Sequence, residues 1–254
     1  MLRSLKELLG YELLATDGKI GKAHDFLFSD EDWKVRYLIV DTGSWIFGRN
    51  VLISVDALGQ PVWASKTFPV ELSRTKVQNS PDADLAKPVS RQYEEELQRH
   101  YRWPVYWPVS HAAPGYGVVV PPHLFDQHME GKEGQDMDRS HLRSAMELFG
   151  YLMNGTDGEV GSVKDFILND EDWQIHYMVA ELDRELEEDK QVLIAIDWLE
   201  TIDVIGQWLS INLPRETIGQ SPAFDPDEPV NRQYEEVLYD YHGRPKYWQV
   251  IEQK

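Results

Sequence analysis

"FSDEDWKVRYLIVD" at residues 28–41 returns as "LNDEDWQIHYMVAE" at 168–181. In both stretches three consecutive carboxylates, Asp30–Asp32 and Asp170–Asp172, stand directly before a Trp that opens an apolar run. A calcium loop needs oxygen ligands at alternating positions and a Gly for its sharp turn, and neither stretch supplies them. The triplets read as acidic hairpin turns, with a metal site as the alternative. Duplication explains their recurrence.

The repeat extends well beyond these turns. Residues 2–41 and 142–181 align without gaps, with 18 of 40 positions identical. After one inserted residue, "VLISVD" (51–56) meets "VLIAID" (192–197), and "RQYEEELQRHYRWPVYW" (91–107) meets "RQYEEVLYDYHGRPKYW" (232–248). A period of this length marks a duplicated folding unit. The expected organisation is a first repeat at 1–107, a Pro/Gly-rich linker at 108–140 and a second repeat at 141–254.

Within each repeat the apolar period is two, which predicts strands. Trp33, Val35, Tyr37 and Ile39 alternate with Lys34, Arg36, Leu38 and Val40. Several short strands with Gly-containing turns in about 75 residues predict a small barrel or strongly bent sheet. Ser90 is placed to cap a helix over "RQYEEELQRHY", with Tyr93, Leu97 and Tyr101 as its apolar stripe and Glu95–Arg99 as an ion pair. The two repeats are expected to pack as a pseudo-twofold pair, meeting at the apolar ends of 33–41 and 173–181.

These motifs resemble the PRC-barrel family. Its turn, Ile-Gly, Asp and Tyr-Leu-Val-Val-like strand appear as Asp17-Gly18-Lys19-Ile20-Gly21, Asp25-Phe26-Leu27 and Tyr37-Leu38-Ile39-Val40. The second copy has Asp157-Gly158-Glu159-Val160-Gly161, Asp165-Phe166-Ile167 and Tyr177-Met178-Val179. The resemblance implies a mainly β fold of two tandem small β-barrels, each followed by a short α-helix, that acts by binding other proteins. The family also occurs in the photosynthetic reaction-centre H subunit and in a ribosome maturation factor. An adaptor role in either setting follows by analogy alone. The resemblance supplies no catalytic residues and implies no cofactor.

Composition narrows the function further. The absence of Cys excludes disulfides, thiolate metal sites and Cys nucleophiles. No apolar run approaches the roughly 20 residues of a membrane helix, and the N-terminus lacks a signal-peptide core, so a cytoplasmic location is expected. The net charge of −19 disfavours general nucleic-acid binding. That charge is uneven. Residues 1–107 hold 14 Lys/Arg and 15 Asp/Glu, whereas residues 141–254 hold 9 and 24. A basic protein partner facing the second repeat is therefore expected. No nucleophile or phosphate-loop motif occurs. His111, His123, His128 and His141 lack metal-ligand spacing. Of nine Trp, Trp33/Trp173 and Trp107/Trp248 recur at equivalent places and read as core or seam. Trp45, Trp63, Trp198 and Trp208 have no Trp counterpart, so the barrel does not require them, and they are candidates for an interface. A non-enzymatic interaction module is the leading reading. A small-ligand or metal binder with its site between the barrels is the alternative.

Overall fold

The computed structural model describes residues 1–46, 48–81, 89–107, 141–187 and 189–251. The region expected to be a linker, with His111, His123 and His128, lies outside them.

The first repeat contributes β1 (Leu2–Ser4), α1 (Leu5–Leu8), β2 (Glu12–Ala15), β3 (Gly18–Ser29), β4 (Val35–Asp41), β5 (Asn50–Ser54), β6 (Thr67–Pro69), α2 (Arg74–Gln78) and α3 (Arg91–Tyr101). The second contributes β7 (Leu142–Ser144), α4 (Ala145–Leu148), β8 (Leu152–Gly155), β9 (Gly158–Asn169), β10 (Ile175–Leu182), β11 (Gln191–Ala195), β12 (Leu199–Asp203), β13 (Trp208–Ile211), α5 (Arg215–Gly219), α6 (Arg232–His242) and α7 (Tyr247–Ile251). The fold is mainly β. One sheet runs β5-β4-β3-β2-β6 and the other β11-β10-β9-β8-β13-β12, and neither path closes on itself among the described residues.

The first strand of each repeat belongs to the other repeat's sheet. Leu2, Arg3 and Ser4 pair antiparallel with Asn169, Leu168 and Ile167. Leu142, Arg143 and Ser144 pair in the same way with Ser29, Phe28 and Leu27. The halves also meet along a pseudo-twofold axis, where Lys34 bridges to Gln174. There the Val35 amide donates to the Trp173 carbonyl and the Ile175 amide to the Trp33 carbonyl, each at 2.9 Å. One core cluster consequently includes Leu5 and Leu8 of the first repeat with Val160, Phe166 and Tyr177 of the second.

The units therefore meet at the starts of β4 and β10 and through the exchanged strands, whereas the apolar far ends of these strands had been expected at the contact. Leu38 and Val40 join the large core, while Tyr37 and Ile39 pack with Leu97 and Tyr101 of α3. The strict alternation also breaks. Val35 and Tyr37 of β4 oppose Phe28 and Leu27 of β3, so Arg36 is an extra residue. Such a bulge switches the side-chain parity, placing Val35 in the same cluster as Leu38. Trp33 precedes the strand in a left-handed conformation with φ of 56°, as does Trp173 at 61°.

Gly21 and Gly161 stand where the long strands bend against their neighbours. A Cβ there would lie 2.2 Å from the Asp41 carbonyl oxygen and 2.0 Å from that of Glu181, closer than any side chain tolerates. The Ile-Gly element of the motif thus marks a close backbone approach.

Ser90 caps α3 by accepting from the Tyr93 amide. Among the described residues, Glu95 and Arg99 form no ion pair, and the pair on this helix is Arg91–Glu94 at 3.2 Å. Glu94 turns inward, so the buried face of α3 is partly polar. On α6 the position matching Tyr101 is His242. Its Nε2 lies 2.8 Å from the Ser221 hydroxyl, with its ring centroid 4.6 Å from that of Trp198. Burial lowers the His242 pKa to about 4. In this window the unfolded chain binds the proton and the folded chain does not. Stability from this residue is therefore present above about pH 6.5 and is lost as the pH falls toward 4. With an allowance for its partial exposure, the loss at pH 5 is about 1 kcal/mol. His242→Tyr, which installs the residue of the first repeat, is expected to remove that loss. Urea midpoints at pH 7 and pH 5 check this, and identical slopes in wild type and variant would refute it.

Candidate functional site

The acidic turns are occupied, and their occupants come mostly from the other repeat. The Arg143 guanidinium donates to Asp30 at 2.7 Å, and His141 Nδ1 lies 3.0 Å from Glu31. The Asp30 amide donates to the His141 carbonyl. Asp32 pairs with Arg36 of its own strand. In the other direction, the Met1 amine donates to Asp170 at 2.6 Å, and Arg3 lies 3.6 Å from the same carboxylate. The triplets are thus docking points for the basic starts of the exchanged strands. Among the described residues, no cluster of three or more His, Asp or Glu is arranged to hold a metal ion.

Deeper in the seam lies the Asp of the family motif. Asp25 accepts from the Ser144 hydroxyl at 2.5 Å, the Met146 amide at 3.0 Å and the Phe26 amide at 2.7 Å. Asp165 accepts from the Ser4 hydroxyl at 2.5 Å, the Lys6 amide at 3.0 Å and the Phe166 amide at 2.7 Å. Each carboxylate holds the strand-to-helix corner of the opposite repeat. Burial pushes both carboxyls above their usual range, against the pull of these donors. Aromatic side chains fill the rest. Trp33 faces Phe166 across the seam, while Trp173 stacks on Phe26 and packs on Phe68.

A second constellation, also present twice, lies under the helices. Glu94 accepts from the Tyr37 and Tyr106 hydroxyls, at 3.2 and 2.5 Å. Glu235 accepts from Tyr177 and Tyr247, at 2.7 and 2.9 Å. Arg91 lies 4.1 Å over the Trp107 ring and Arg232 lies 4.0 Å over that of Trp248. Each cluster clamps the Tyr-Trp tail onto its sheet. Sequence reasoning took these helices for apolar stripes and missed the buried Glu. The usable signal was the Arg-x-x-Glu spacing and the Tyr-Trp pair recurring together.

The four candidate Trp fall in different settings. Trp45 stacks under Arg74 at 4.5 Å. Trp63 lies under Arg3 at 4.4 Å, beside the exchanged strand. Trp198 is buried against Tyr239 and His242. Trp208 is half-buried on the outer face of the second sheet.

Residues 2–66 match the family model of the PRC-barrel domain. The first unit is a PRC-barrel domain. The match covers about a quarter of the chain and spans β1 to the loop before β6. Internal repetition links the second unit to it, with the same core order of strands. A comparison with curated proteins finds no match. PRC-barrel domains are protein-interaction or assembly modules, and among the described residues no helix is long and apolar enough to cross a membrane.

Proposed function

We propose that this chain is a non-enzymatic assembly module whose second PRC-barrel-like unit docks a basic protein surface. The observation carrying this reading is the charge contrast between two copies of one fold. Residues 1–107 are nearly neutral at −1, while 141–254 carry −15. A fold that stands with the first balance does not need the second, so the excess carboxylates are free to serve recognition and steering. The buried carboxylates Asp25, Asp165, Glu94 and Glu235 are each engaged in holding the chain together.

A small-ligand site between the units has less support. The groove joining Leu2, Ser4 and Glu7 to Phe224 and Val230 holds about 190 Å³. Ligand pockets usually start near 300 Å³. Adaptor roles in ribosome maturation or photosynthetic membranes rest on analogy, and no residue described above favours either.

Affinity capture with the full-length chain, repeated at about 50 and 500 mM salt, tests the assembly reading. Capture of basic partners is expected to weaken at least about tenfold at the higher salt, through slower association. Recovery of the same partners in equal amount at both salts would overturn it.

A further inference from the structure

The duplication provides an internal control for surface function, because the same position can be compared in two copies. One row of cross-strand partners on the outer face of the second sheet runs Asp203, Trp208, Leu152 and Ser162. The matching row of the first sheet runs Val62, Thr67, Glu12 and Lys22. The centre of this row is apolar in the second unit and polar in the first. Leu152 is 44% exposed, and Ile205, at the tip of the β12–β13 hairpin, is 96% exposed. The first unit has Ala64 in place of Ile205.

This tip is braced. Asp203 accepts from the Gly206 amide at 2.8 Å, and the Tyr151 hydroxyl donates to the Val204 carbonyl. The Trp208 indole lies so close over Gly206 that a Cβ there would meet it at 2.6 Å. Trp208 and Leu152 are thus paired neighbours on this face, and the exposed Ile205 stands at the tip of the supported turn that Trp208 closes, so the three make up the candidate patch. The charge around the patch also differs between the copies. Lys19 and Lys66 of the first unit become Glu159 and Gln207, and Asp203 closes the outer edge, on the last strand of its sheet.

We propose that this patch is the docking point for the basic partner, and that it takes a segment with a large apolar side chain flanked by Lys or Arg. The apolar centre supplies an anchor site and the acidic edge the electrostatic match. The first unit, with Glu12 opposite Lys22 and ion-paired to Lys19 in the matching place, offers neither the apolar centre nor the acidic edge. The proposal rests on the assembly reading above, and its test separates the two.

The probe is a fluorescein-labelled peptide, KRKLWLKRK, titrated into the full-length protein and followed by anisotropy at low salt. A control peptide, KRKSGSKRK, keeps the charge and lacks the anchor. Ile205→Ala leaves the fold intact because Ile205 touches almost nothing. It is expected to weaken the anchored peptide about tenfold and to leave the control unchanged. The triple variant L152E/I205A/W208T, which installs the side chains of the first unit, should bind both peptides equally. Unchanged binding of the anchored peptide by Ile205→Ala overturns the assignment of this site and spares the assembly reading. Failure of both basic peptides to bind overturns both.

Discussion

Replacing Asp25 and Asp165 together by Ala is expected to leave the chain unfolded at 37 °C. Each carboxylate receives three hydrogen bonds, two of them from backbone amides. Stripping the acceptor from such a site costs about 3 kcal/mol, hence roughly 6 kcal/mol for both. Domains of this size commonly have a total of only about 5–15 kcal/mol. Asn substitutions should cost far less, because Asn keeps one acceptor oxygen and avoids the buried charge whose pKa is already raised. Urea unfolding followed by Trp fluorescence distinguishes these cases. A double Ala variant with a midpoint close to wild type would show that the carboxylates do not hold the corners.

The second large effect concerns the backbone between the units. A protease site placed within 108–140 and cut in the folded full-length protein is expected to give two fragments that elute together at the size of the intact chain. The reason is reciprocity. Each fragment lends a strand to the other's sheet, the Trp33 and Trp173 carbonyls cross between them, and one hydrophobic core spans both. Such contacts resemble an obligate interface, for which a dissociation constant below about 10 nM is reasonable. They should part only in denaturant, and in a single transition. Fragments that separate during gel filtration at micromolar concentration would refute this account.

Much of this architecture was legible beforehand, for reasons that can be named. The turn at Asp17-Gly18 joins the paired residues Ala15 and Gly18, and Ser90 caps the amide of Tyr93 three places on, so a turn and a helix cap could be recognised locally. The strand exchange could not. Leu-Arg-Ser at 2–4 is identical to Leu-Arg-Ser at 142–144, so nothing in the letters says which sheet each joins. The extra residue at Arg36 was equally hidden, because a bulge depends on the partner strand, and it moved Val35 to the opposite face from Tyr37. Glu94 was not singled out, since its Tyr37 and Tyr106 partners lie 57 and 12 positions away. The acidic triplets were correctly taken as turns, while their charge found its purpose only once Arg143 and Met1 arrived from the other half.

The contact between Lys34 and Gln174 on the pseudo-twofold axis has a consequence for valence. Two identical first units would set Lys34 against Lys34, and like charges at such a position are disfavoured. The joined copies avoid that clash and gain something a homodimer cannot have. A symmetric pair would display every surface feature twice and could crosslink its partners into larger arrays. Here a feature confined to one copy is displayed once, so each chain would take a single partner and end the assembly there.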